Sequence, residues 1–124
     1  MIYTSYFANI SKIPRDFVKV SIARFPPKGL LSQVKQCSIL APSPELLKAY
    51  KNHQISDLEY TNWYQQQLNA MPVDTKRELF EYLKYFNGSQ NHNLVLLCYE
   101  APNVFCHRHI FADMCYPILT IKEL

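Results

Sequence analysis

The sequence predicts an α/β fold: a small three-layer domain with a mainly parallel central sheet flanked by helices. Three observations lead there. Residues 94–99, Leu-Val-Leu-Leu-Cys-Tyr, form an unbroken apolar run, the pattern of a strand covered on both faces. Strand-like and helix-like segments alternate along the chain, which calls for crossover connections and parallel pairing. A length of 124 residues suits a single domain, residues 1–124, and leaves little room for a second.

The elements follow in order. Residues 2–7 read as a short strand and residues 9–16, with Pro14, as a loop or one helical turn. Residues 17–23 alternate and are β-branched, a second strand that Pro26, Pro27 and Gly29 break. Residues 37–40 are a third short strand or an apolar loop. Ser43-Pro44 has the form of a helix cap followed by proline at the first helical position, opening a helix to about residue 52. Ser56-Asp57-Leu58-Glu59 has the form of a capping box and starts a helix to about residue 70. Asp74 is placed to cap a third helix, to about residue 86, which Asn87-Gly88 closes. After the apolar strand and a loop at 100–102, Asn103 can cap a helix over 104–115 that Pro117 stops. Residues 118–121 are a candidate last strand.

Composition excludes several function classes. Two glycines, Gly29 and Gly88, are too few for either common phosphate-binding loop. The net charge of +3 is mild, and the Lys and Arg residues are scattered without a run of five. Binding to duplex nucleic acid as the main task is therefore disfavoured, whereas a small anion needs only one or two placed arginines. No segment approaches the roughly 18 apolar residues of a membrane span, so no membrane partner is expected. The chain opens directly in a strand-like segment with no leader pattern. With that start, the four cysteines (Cys37, Cys98, Cys106 and Cys115) read as free thiols of a cytoplasmic protein.

The informative segment runs from Leu96 to His109. Cys98, Glu100, Cys106, His107 and Arg108 fall between a buried strand's C-terminal end and the first turns of a helix. In open α/β sheets ligands bind at that edge, where helix N-termini favour anions. Arg108 offers a planar guanidinium for phosphate or carboxylate. A helix start would favour the thiolate of Cys106. Arg24, after the second strand, could clamp the anion with Arg108 and the helix starting near Asn103. Ser5, Tyr6 and Phe7, after the first strand, and Tyr99 could contact the ligand's ring.

Plainer readings stand beside these. Cys98 sits in an apolar run and reads as a small core residue, as do Cys37 and Cys115. Tyr60, Tyr64, Tyr82 and Tyr85 read as helix-face packing, and Trp63 as a core or interface anchor; the Tyr-rich helices would equally serve a homodimer face. Cys98, Cys106, His107 and His109 carry suitable atoms for zinc, but paired Cys-x-x-Cys knuckles and i, i+4 histidines are absent. No metal or other cofactor is therefore expected, with zinc the disfavoured alternative. Adjacent helical positions point about 100° apart, which makes a Cys106–His107 dyad awkward.

Leu96-Leu97-Cys98-Tyr99-Glu100 followed by Phe105-Cys106-His107-Arg108 resembles the hallmark of the family labelled domain of unknown function 488. The segments Leu40-Ala41-Pro42-Ser43, Tyr50-Lys51, Tyr60-Thr61 with Tyr64, and the opening Tyr3-Thr4-Ser5-Tyr6-Phe7 are similar to one branch of it. The resemblance implies a small α/β protein in which Cys98, Glu100, Cys106, His107 and Arg108 are signature polar residues. Arg24 fits the same pattern. The chain departs from the family in being short and poor in glycine.

The expected function is binding of a small anionic, nucleotide-derived ligand at the C-terminal edge of the sheet. If it is processed, Glu100 acts as general acid or base, with Cys106 and His107 as the alternative nucleophile and partner. The sequence leaves enzyme and non-catalytic sequestering protein both open. A protein-interaction domain using exposed aromatics is the third reading.

Overall fold

A computed structural model describes all 124 residues. Five strands form one all-parallel sheet: β1 (Ile2–Tyr6), β2 (Val18–Ser21), β3 (Lys35–Gln36), β4 (Leu94–Cys98) and β5 (Ile121–Glu123), in the order β3-β2-β4-β1-β5. The α/β class and the parallel sheet are as the sequence predicts. β4 is central, in register with β1 (Tyr6 opposite Cys98) and β2 (Ser21 opposite Leu97), and all five of its residues are buried.

Four α-helices follow: α1 (Pro44–Lys51), α2 (Asp57–Asn69), α3 (Val73–Phe86) and α4 (His107–Cys115). Their placement follows from the handedness of the crossovers. The steps β1 to β2 and β2 to β3 run one way across the sheet, while β3 to β4 and β4 to β5 run the other way. Right-handed connections therefore put the first pair on one face and the second pair, which contain every α-helix, on the opposite face. The core shows the same division. Leu94 and Leu96 face a large cluster with Leu46, Tyr64, Leu83 and Phe111 of the helices. Val95 and Leu97 face a smaller cluster with Phe7 and Ile13, covered by 3-10 turns at Phe7–Lys12 and Lys28–Leu30. The third layer is thus thin. Its connections are short and interrupted by Pro14, Pro26 and Pro27, which cannot build α-helix.

Local signals set most helix ends. Ser43 Oγ accepts from Leu46 N–H at 3.1 Å, and Ser56 and Glu59 close a reciprocal capping box at 3.1 and 3.0 Å. Gly88 follows α3 at φ 75°, the left-handed position that ends a helix. A Cβ at this site would meet nothing within 4 Å, so Gly88→Ala is a purely conformational change. It should lower stability by about 1 kcal/mol in urea denaturation; an unchanged midpoint would contradict this role.

β2 is trimmed to Val18–Ser21 and α4 starts at His107 rather than at 104, and four further boundaries differ from expectation. The first strand stops at Tyr6 because Phe7 turns down into the smaller cluster. The third strand is Lys35–Gln36, and Ser38–Leu40 forms a 3-10 turn that buries Leu40. Pro72, not Asp74, stands at the cap of α3, since its φ of −55° already suits the helix entrance; Asp74 lies in the first turn and pairs with Arg77 at 3.2 Å. The last strand is Ile121–Glu123, because Leu119 is buried in a turn bonded to Cys115 before the chain reaches the sheet.

Candidate functional site

At the carboxyl ends of β2 and β4 the chain leaves in opposite directions, β2 towards β3 and β4 towards β5. A crevice opens at such a point in open α/β sheets. Here it is a cavity of about 710 Å³. Ala23, Arg24 and Phe25 line it from the end of β2, and Cys98, Tyr99 and Glu100 from the end of β4. Phe105, Cys106 and His107 close it from the entrance of α4. Tyr50, Lys51, His53, Asp57 and Tyr60 contribute from the region of α1 and α2.

Five of the expected residues meet here: Arg24, Tyr99, Glu100, Cys106 and His107. Arg24 is half-buried; its Nε and Nη2 donate to the carbonyls of Pro42 and Ala41 at 3.1 and 3.3 Å, and Nη1 has no protein partner. Tyr99 is half-exposed, packs edge-on against Phe7 at 4.9 Å and donates its hydroxyl to the Phe25 carbonyl. Glu100 is exposed at the rim.

Five others do not line the cavity. Ser5 and Tyr6 lie in β1 and Phe7 directly follows it; β1 lies beyond β4 and sends its connection to the other face. Ser5 is buried and accepts from Asn9, and Phe7 is core. Asn103 is exposed in a turn and caps nothing, because α4 begins only at His107.

Arg108 is fully buried behind the cavity. Its Nε and Nη2 fork onto Glu123 at 3.1 and 3.0 Å, and Nη1 donates to Cys98 Sγ at 2.8 Å and the Glu100 carbonyl at 2.7 Å. Four of its roughly five N–H donors are thereby engaged within the protein. It fixes the end of β4 and offers no face to the cavity.

Burial raises the Glu123 carboxyl, but hydrogen bonds from Arg108 and from Thr4 at 2.6 Å outweigh this and hold it below its ordinary value. A depressed carboxylate adds stability above its unfolded value and loses it as pH falls through the folded one. Stability should therefore decline as pH is lowered below about 4.3, and Glu123→Gln should flatten this part of a urea-midpoint profile. Equal slopes for the two proteins would refute the assignment.

The entrance of α4 departs most from the sequence reading. Cys106 is not helical: at φ −155° and ψ 146° it is extended, and His107 is the first helical residue. The divergence expected of neighbours on a helix does not apply, and Cys106 Sγ lies 3.6 Å from His107 Nδ1. His107 Nε2 lies 2.6 Å from the Ile22 carbonyl. A carbonyl only accepts, so Nε2 carries the proton and Nδ1 is left with a lone pair. Burial, outweighing that hydrogen bond, pushes the imidazole down to about 4 and keeps it neutral.

Cys98 and Cys106 are not the free thiols the sequence suggested: they are paired Sγ to Sγ, while Cys37 and Cys115 are free. The Cα atoms of the pair are 7.8 Å apart, wider than the roughly 4.4–6.8 Å usual for a disulfide.

Sequence reasoning missed the aromatic wall. Tyr50, Tyr60 and Phe105 pack together with ring centroids 5.0 to 5.6 Å apart, and all three line the cavity. Tyr60, read as helix packing, does both. Tyr50 donates to Asp57 at 2.6 Å, and that bond pushes its phenol up to about 12. Tyr64 and Gln67 were missed as positioning residues. Tyr64 donates to the Leu40 carbonyl at 2.6 Å and Gln67 to the Ala41 carbonyl at 2.8 Å. Together they hold the loop that anchors Arg24. Their i, i+3 spacing on α2 was the available signal.

No helix is long and apolar enough to cross a membrane. No curated protein and no solved structure matches the chain. The family model described as the Active DUF488-N3 subclade matches residues 3–116, which include every residue of the cavity wall. With its parallel sheet and with nearly its whole length matched, the chain belongs to the DUF488 family, in the Active DUF488-N3 subclade.

Proposed function

We propose that the crevice beyond β2 and β4 binds a small anionic, nucleotide-derived ligand. One observation carries this reading. A single cavity holds both the Tyr50–Tyr60–Phe105 aromatic wall and the unpartnered Nη1 of Arg24. A planar ring gains about 1–3 kcal/mol by stacking on an aromatic side chain. A guanidinium edge suits phosphate or carboxylate, and Lys51 adds a second positive charge. The volume of about 710 Å³ falls in the roughly 300–1,000 Å³ range of small-molecule sites.

Glu100, at the rim, is the general acid or base if the ligand is processed. That the subclade is described as active favours this over sequestration. A reducing, cytoplasmic setting suits the free thiols of Cys37 and Cys115.

Native mass spectrometry with a nucleotide panel tests the reading. A nucleotide-sized adduct is expected, and Phe105→Ala should weaken it about tenfold, within the stacking range above. A converted mass that Glu100→Gln abolishes identifies an enzyme. A mass released unchanged identifies a sequestering protein. A bare protein mass with every nucleotide overturns the proposal.

A further inference from the structure

Three soft donors converge on the floor of the cavity. The Sγ atoms of Cys98 and Cys106 and a ring nitrogen of His107 all lie within 4.8 Å of one another, and all three residues are buried. They come from two elements fixed independently, the end of the central strand and the entrance of α4. All three also line the cavity. We propose that Cys98, Cys106 and His107 bind a zinc ion through two thiolates and Nδ1, with a fourth position open to the cavity.

The geometry and the surroundings both fit. Zinc takes tetrahedral sulfur and nitrogen ligands at about 2.3 and 2.0–2.1 Å, which sets a sulfur–nitrogen edge near 3.6 Å. The Cys106 Sγ to His107 Nδ1 separation is 3.6 Å. The two sulfurs, in contact here, must part to about 3.8 Å to complete that tetrahedron. A Cα separation of 7.8 Å leaves room for this.

The outer partners of a zinc site are present as well. Ligating histidines usually donate their other N–H to a carbonyl or carboxylate, which fixes the tautomer. The Ile22 carbonyl does so here, at 2.6 Å from Nε2. Arg108 Nη1, at 2.8 Å, donates to Cys98 Sγ as it would to a thiolate. Zinc displaces the two thiol protons to solvent, so the ion and its two thiolates sum to zero charge. Three protein ligands with one position open to a cavity is the form of catalytic rather than structural zinc sites. The sequence disfavoured zinc because paired Cys-x-x-Cys knuckles and i, i+4 histidines are absent, but the fold brings these donors together from the end of β4 and the entrance of α4.

The test is independent of any nucleotide. The full-length chain is purified under reducing conditions from zinc-supplemented cells and its metal measured by elemental analysis. The apo protein is then titrated with cobalt(II). One zinc per chain is expected. Cobalt should give a sulfur-to-cobalt charge-transfer band and the intense visible bands of a tetrahedral site. Cys106→Ser and His107→Gln should lose stoichiometric binding at concentrations that saturate the native protein. Cys37→Ser and Cys115→Ser should keep it. Should Cys106→Ser fail to fold, the native cobalt spectrum still decides. Absence of both zinc and the sulfur-to-cobalt band overturns the site. So does an intact mass two hydrogens light under the same reducing conditions, which would make the pair a disulfide. Nucleotide binding by the metal-free protein is scored separately, so either proposal can fail alone.

Discussion

Replacing Arg108 by Met is expected to lower the unfolding free energy by about 3–5 kcal/mol, the usual cost of breaking a buried ion pair. The side chain is fully buried, and its loss strands three partners at once: the Glu123 carboxylate, Cys98 Sγ and the Glu100 carbonyl. A polar group left buried without a partner bears its desolvation cost in full. Arg108→Lys should recover only part of the loss, because an ammonium cannot fork onto a carboxylate. Urea denaturation measures both variants. If Arg108 instead clamped the ligand directly, Arg108→Met would keep its stability within about 0.5 kcal/mol, as surface substitutions do, and lose affinity alone.

Truncating the central strand comes next in size. Leu96→Ala and Leu97→Ala should each cost about 2–5 kcal/mol, since both side chains are fully buried on β4. They face opposite sides of the sheet. Leu96 packs among α-helices, whereas Leu97 lies under 3-10 turns and loop residues. The cost of a cavity depends on how far its surroundings can collapse into it. The short, proline-interrupted cover over Leu97 can yield more readily than four packed helices. Leu97→Ala should therefore fall at the lower end of that range and Leu96→Ala at the upper end. A larger loss for Leu97→Ala would mean that the thin layer is the more rigid of the two.

The cavity shows how the fold and its functional reading are joined. Its two chemical halves come from segments that are remote in sequence, Arg24 after β2 and Tyr50, Tyr60 and Phe105 from the helical side. Tyr64, Gln67 and Arg108 touch none of the space but fix the backbone around it. Substitution of these three should thus act through stability and position, and substitution of the lining residues through affinity.

What neighbours in the chain can decide was legible in the residues themselves. The apolar run of β4, the Ser43 cap with Pro44, the Ser56–Glu59 box and the Gly88 terminus are local patterns with local physics, and the structure has all four. The strand-end location of the polar cluster was legible too, because Glu100 and His107 bracket the turn after that run. Three features were decided only by the tertiary structure. The sheet order placed β2 rather than β1 at the divergent side of β4, which brought Arg24 to the cavity and left Ser5, Tyr6 and Phe7 out of it. The Glu123 carboxylate on β5 drew Arg108 inward. The extended backbone at Cys106 turned its sulfur towards His107, where a helical reading had kept them apart. The first two depend on pairing between distant segments, and the third on where the fold starts α4. Periodicity and caps record only what a residue meets within a few positions of itself, so they could not show which strand end or which carboxylate would arrive from elsewhere, nor where packing would begin the last helix.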